Sequence, residues 1–200
     1  MFQLKTLPVH TKHSRAPLIF LLISLLCFIF NAQISDYLIY NRVFIIEHQY
    51  WRLLTGHFFH TNYAHLLLNT LALVLLWALH GQFYSTKQYA LLFLFSSLTI
   101  SLAIFNFSPE MNEYVGLSGV LHGVFIWGAL KDIQHSEKTG YLLLIGAIVK
   151  VAHEQIYGAS EDVTMLINAN VAIDAHLWGL ISGVVFFIIA DCVNKMKNAK

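Results

Sequence analysis

Charge is scarce in this sequence. Asp, Glu, Lys and Arg make up only 12% of its 200 residues, about half of the roughly 25% carried by soluble domains. That is too little to coat a water-exposed surface, and with 57% hydrophobic residues and a mean hydropathy of +0.61 it points to a membrane protein. Cysteine is nearly missing as well. Cys27 and Cys192 sit in or at the end of apolar runs with no CxxC, which leaves no thiolate metal site and makes both small apolar fillers. No long basic tract exists, and a net charge of +1 with a pI near 7.9 offers nothing to nucleic acid. Length excludes a further domain: a span takes about 20 apolar residues, so six would leave only short loops. We therefore expect one membrane domain over 1–200.

The spans follow from the apolar runs. A tail over 1–15 carries Lys5, Lys12 and Arg15, and a first span covers 16–34. With Phe30 two places before Ala32 there is no small-x-small cleavage site, so the span is expected to be retained. Residues 35–59 are aromatic and amphipathic but broken by Asp36, Arg42, Glu47, His48 and Arg52, which suits a segment lying at the interface. Further spans are expected over 60–79, 89–107, 117–130, 141–157 and 169–192, with a basic tail over 193–200. The fourth is short, so its N-terminus is expected below the membrane surface. With both termini in the cytoplasm, Lys5, Lys12, Arg15, Lys87, Lys131, Lys138, Lys195, Lys197 and Lys200 lie inside and only Arg42 and Arg52 outside, a positive-inside bias. Loops 106–113 and 158–168 lie outside, where they are able to cap a site.

In this topology the second, fourth and sixth spans run the same way, so their early residues share one depth near the outer face. Those residues include His60, His65 and Asn69, Ser118 and His122, and His176, and polar groups at such a depth face the bundle interior and mark function. In VGLSGVLHG, from Val115 to Gly123, Ser118 is the candidate nucleophile; it needs a base within hydrogen-bond reach and donors for an oxyanion. Gly119 and Gly123 form one small-residue ladder at i, i+4, and Ala175, Gly179 and Gly183 form another. Close approach of the two would carry His176 towards Ser118. His65 and Asn69, four apart, share a helix face and are both donors. Plainer readings stay open for each: helix packing for the glycines, a structural hydrogen bond for the histidines. Lys150 and Glu154, also four apart, are expected to pair, either merely satisfying each other or forming a polar site for a substrate's tail or carboxylate. His57, His60 and His65 lack a carboxylate or thiolate to complete a metal site, and no cofactor is expected. Asp174, two before His176, points away from it, so a Ser-His dyad without a third member is the expectation.

WRLLTGHFFHTNYAHLLLN from Trp51, GLSG from Gly116 and AHLWGLISG from Ala175 resemble the three signature blocks of the rhomboid intramembrane serine proteases, in the family order. The resemblance implies an all-α, polytopic bundle of six transmembrane helices with a membrane-lying first loop. It also implies Ser118 as nucleophile, His176 as general base and His65 with Asn69 as oxyanion donors, beside Gly116 and Gly119. Trp51 and Arg52 would belong to the first loop, with His60 a structural residue beneath it. Many rhomboids carry tyrosine where this chain has His122. That pattern and the compact length look like the rhombosortase branch, which implies partners that are secreted proteins with a Gly-Gly motif and a C-terminal membrane anchor, processed in the bacterial inner membrane. The rival expectations are a catalytically silent rhomboid-like binder of transmembrane helices and, last, a histidine-based haem or metal carrier.

Overall fold

A computed structural model describes residues 7–198; Lys5 and Lys200, counted above as inner cations, lie outside the described residues. Six long helices form the bundle: α1 (Thr11–Ile29), α5 (Tyr63–His80), α6 (Thr86–Phe107), α7 (Ser118–Gln134), α8 (Thr139–Tyr157) and α10 (Ile173–Asn198). Short helices α2 (Asn31–Leu38), α3 (Arg42–Ile46) and α4 (Arg52–Thr55) fill the first loop, and α9 (Glu161–Ile167) follows α8. Four of the long helices are long and apolar enough to cross a membrane, as is the α8–α9 pair, bent by 86°. This is an integral, multi-pass membrane protein. At 17 residues α7 is about 25 Å long, short of a hydrocarbon core of roughly 30 Å, although it runs past Lys131 and Asp132 to Gln134 rather than ending at 130.

Three boundaries differ most from the expectation. The first helix starts at Thr11 rather than 16, because His10 accepts from the Lys12 N–H and caps it, drawing Lys12 and Arg15 into its first turns. It breaks at Phe30, so the loop begins with α2 rather than at 35. At the other end α10 runs on through the basic tail to Asn198, with Lys195 paired to Asp191 one turn earlier at 2.8 Å.

Local chemistry sets the other ends. Ser85 and Gln88 form a reciprocal capping box on α6, and the Asn62 side chain accepts from the His65 N–H at 2.9 Å, capping α5. In the first loop the buried Arg52 guanidinium donates to the Asp36 and Ile39 carbonyls at 2.6 and 2.8 Å and lies 4.6 Å from the Phe44 ring. Trp51 donates to the Tyr37 carbonyl at 3.0 Å. Both residues thus tie parts of the loop together. A two-residue antiparallel ladder, β1 (Tyr40–Asn41) with β2 (Glu113–Tyr114), ties the loop to the segment that leads into α7.

The interior mixes apolar side chains with buried polar ones, while the outside is apolar. Ser24, Ser96, Ser97, Ser101 and Ser182 are fully buried, while Leu18, Leu71, Leu142, Ile145 and Ile188 are exposed where lipid would lie. Helix α7 is the centre, packed by α5, α6, α8 and α10. Its contact with α10 is made backbone to backbone: a Cβ on Gly179 would fall onto the Gly119 carbonyl, one on Gly183 onto the Gly123 carbonyl, and one on Gly119 would lie 2.8 Å from the Ala175 oxygen.

Gly179→Val is therefore expected to force α7 and α10 apart and to lower stability by about 3 kcal/mol or more. A Cβ at Gly146 meets nothing within 4 Å, so Gly146→Ala is expected to be neutral or to gain up to about 1 kcal/mol. Thermal unfolding of the two variants in detergent measures the contrast.

Candidate active site

Ser118 is the first residue of α7, His65 lies in the first turn of α5 and His176 in the first turn of α10. Parallel helices with aligned starts bring all three to one level, the depth coincidence read from the topology. The Ser118 Oγ is 2.9 Å from His176 Nε2, a distance imposed by the glycine contact one turn further along both helices.

Gly116 precedes the serine with φ +122°, a conformation that an L side chain rarely adopts, and a Cβ there would come within 2.9 Å of His65 Nε2. The glycine thus both turns the chain into α7 and leaves room for the imidazole beside it. The turn is braced by residues the sequence did not single out for the purpose. Tyr114 donates to the Gly116 carbonyl at 2.8 Å, and its ring meets His57 edge-on at 5.2 Å. Burial in the first-loop segment pushes His57 down to about 4, so its ring is neutral. Its Nε2–H faces the Ser97 carbonyl at 3.1 Å and the Ser101 hydroxyl at 3.0 Å on α6. No periodicity signals this brace; only the proximity of Tyr114 to GLSG hints at it.

The leading N–H groups of α7 have no side-chain cap from Leu117 and so remain available at a positive helix end. His65 and Asn69 face the same space. The Asn69 amide donates one hydrogen to the His65 carbonyl at 3.1 Å, which leaves its second N–H. His60 packs edge-on against the His65 ring, centroids 4.9 Å apart.

These groups line one cavity of about 630 Å³, walled by Leu68, Leu75 and Leu79 of α5 and by Leu142, Gly146 and Lys150 of α8. Val163 and Ile167 of α9 cover it. That helix is fastened to the start of α5 by Thr61 and Asn62, which donate to the carbonyls of Ile167 and Leu166 at 2.6 and 2.9 Å. Loop 158–168 is thus the cap, whereas 106–113 is occupied by pairing with the first loop. Asp174 accepts from Ser108 at 2.5 Å, facing away from His176 as its spacing predicts.

Two further groups of side chains meet the Ser118–His176 pair. Lys150 and Glu154 do more than satisfy each other: besides its 2.9 Å contact with Lys150, the Glu154 carboxylate lies 2.9 Å from His176 Nδ1, so His176 has a third partner that the sequence reading did not assign. His122 joins the same cluster. Its Nδ1–H donates to the Ser118 backbone carbonyl at 2.7 Å, and its ring stacks on His176 with centroids 4.2 Å apart and planes at 21°. It occupies the place of an aromatic platform. Donor atoms of His122, Glu154 and His176 all lie within 4.8 Å of one another, a set with the geometry to hold a cation. The Lys150 ammonium reaches it, 3.0 Å from His122 Nε2.

Comparison with known proteins agrees with this architecture. The family model for the rhomboid domain matches residues 47–190. Over 146 residues, 73% of this chain, the sequence is 33% identical to the rhomboid protease GluP of Bacillus subtilis (strain 168), of whose length it spans 27%. Over 158 residues it is 23% identical to YdcA of the same organism, provisionally named a rhomboid protease, covering 75% of this chain and 71% of YdcA. A short central helix held by glycines, a polar cluster at bilayer depth and a family match from the first loop to the last helix have one common explanation: this chain belongs to the rhomboid family.

Proposed function

We propose that the chain is an intramembrane serine endopeptidase in which Ser118 is the nucleophile and His176 the general base. The observation that carries the reading is the 2.9 Å contact between Ser118 Oγ and His176 Nε2 in a cavity between apolar helices. Attack on the scissile carbonyl passes the hydroxyl proton to Nε2 and places negative charge on the carbonyl oxygen. The Ser118 N–H, His65 and the free Asn69 N–H are the donors at hand for that charge. Collapse transfers the proton from Nε2 to the leaving amine. Water, deprotonated by the same imidazole, then releases the acyl group and regenerates the serine.

The substrate is a transmembrane segment admitted sideways between α5 and α8, whose facing residues are mostly apolar, leucine above all. A helix 10–12 Å across is too bulky for a cavity of about 630 Å³, so the segment must unwind before it is cut. A Gly-Gly pair suits that demand, since each glycine costs a helix about 1 kcal/mol relative to alanine. This supports the rhombosortase-like reading, in which secreted proteins with a Gly-Gly motif and a C-terminal membrane anchor are processed. Ser118 and His176 open α7 and α10, while Lys131, Lys138, Lys195 and Lys197 lie at or beyond the far ends of those helices. That asymmetry supports cytoplasmic termini and a site near the outer leaflet of a bacterial inner membrane.

Purified protein in detergent is expected to cut a Gly-Gly-tailed transmembrane substrate, and Ser118→Ala or His176→Ala to reduce kcat on the order of 10⁴-fold or more. Cutting by Ser118→Ala at the wild-type rate would sink the reading; a wild-type protein that binds the substrate but takes no fluorophosphonate at Ser118 would be a silent helix binder instead.

Asn69→Ala removes one oxyanion donor and is expected to lower kcat about 10²-fold with little change in KM. Steady-state kinetics over pH should also show activity falling on acidification, because a protonated imidazole cannot accept the serine proton.

A further inference from the structure

Only one nitrogen of His176 faces Ser118. For Nε2 to accept the serine proton, the neutral ring must carry its hydrogen on Nδ1, and an apolar bundle offers nothing to keep it there unless a specific acceptor is supplied. The acceptor in reach is Glu154 Oε2, 2.9 Å from Nδ1. It comes from α8, so three different helices contribute to the line Ser118–His176–Glu154.

A charged carboxylate at bilayer depth is costly on its own, and in neutral form it would donate where an acceptor is wanted. Lys150, one turn earlier on α8, supplies the counter-charge: its ammonium is 2.9 Å from each carboxylate oxygen. The ammonium is held on its other side by His122. That ring gives its Nδ1–H to the Ser118 carbonyl, so Nε2 carries the lone pair that accepts from Lys150 at 3.0 Å. The remaining contact, Lys150 to His176 Nδ1 at 3.3 Å, is then one between two donors.

We propose that Glu154 is a positioning residue for His176, holding the Nδ1–H tautomer and facing the imidazolium that forms during attack. Lys150 keeps the carboxylate ionised, and His122 is both the platform under the imidazole and the acceptor that steadies the ammonium. The proposal rests on Ser118 being the nucleophile. In the reaction the Ser118 proton moves to Nε2, the Nδ1–H stays on His176 throughout, Glu154 gains no proton, and the Nε2 proton leaves with the amine. The sequence signal was present in the fifth span. That span runs opposite to the even-numbered ones, so its late residues, not its early ones, reach the depth of Ser118.

The test compares the purified full-length protein with Glu154→Gln, Glu154→Asp and the charge-neutral double variant Lys150→Met/Glu154→Gln, all checked for wild-type melting behaviour. The glutamine amide donates to Nδ1 and favours the wrong tautomer. Its kcat and its rate of fluorophosphonate labelling at Ser118 are expected to fall about 10²–10⁴-fold, with KM changed less than about threefold. The His176 ¹⁵N resonances should move to the Nε2–H pattern. Glu154→Asp keeps an acceptor and is expected to label at least about tenfold faster than Glu154→Gln. The folded double variant should remain slow. A folded Glu154→Gln or double variant labelled at the wild-type rate would overturn the role of Glu154 and leave Ser118 as nucleophile. A wild-type protein that takes no label at Ser118 would instead remove the reading beneath it.

Discussion

The backbone contact between α7 and α10 is the constraint on which the rest of the structure depends. Side chains normally keep helix axes 8–10 Å apart; here Gly119 and Gly123 meet Gly179 and Gly183 with their carbonyls where Cβ atoms would otherwise stand. In a bilayer the surrounding lipid is as apolar as leucine, so helices gain little by hiding apolar surface and associate through close packing and polar contacts. Small residues permit that approach. A serine and a histidine with no sequence relation are then fixed within hydrogen-bond distance, because each stands one turn or less from a contact that cannot be wider.

The same solvent explains the distribution of polar groups. A hydroxyl, imidazole or charge taken into the bundle is costly without a partner, since hydrocarbon supplies none; many find one, although the Ser24 and Ser97 hydroxyls and the His60 ring nitrogens do not among the described residues. Ser182 donates to the Gly179 carbonyl at 2.7 Å and faces Ser96 at 2.9 Å, which reinforces the α7–α10–α6 junction. His57 and Tyr114 support the turn at Gly116, and Arg42 caps α6 by donating to the carbonyls of Ile104, Phe105 and Ser108 at 2.8–2.9 Å. The first loop is stiff for that reason: its arginines are consumed by backbone carbonyls, and the rigid platform they make sets the position of the serine turn.

On the face opposite α10 the packing is open. Helices α5 and α8 flank a cavity instead of closing on each other, and α8 bends at Gly158 into α9, which covers the opening. Close contact lies on one side of α7, where Ser118 and His176 meet, and a gap on the other. Glu154 connects the two sides, for it stands on α8 one turn beyond Lys150, which lines the gap, and touches the His176 imidazole.

The apolar runs, the lysine asymmetry and the spacing of the glycines were enough to specify a bundle of six long helices, its expected orientation, and the meeting of Ser118, His176, His65 and Asn69 near one depth. Each of these depends on a period or a composition, and such quantities are properties of the chain itself. Helix ends at His10 and Phe30 escaped because capping and breaks turn on single side chains, not on windows of hydropathy. The contacts of Glu154, Lys150 and His122 with His176, and of His57 and Tyr114 with the serine turn, were decided only in the folded bundle. Spacing shows which face of a helix a residue occupies, but the rotation of that helix about its axis against its neighbours is set by packing, and it determines which of two polar groups at the same depth come within 3 Å.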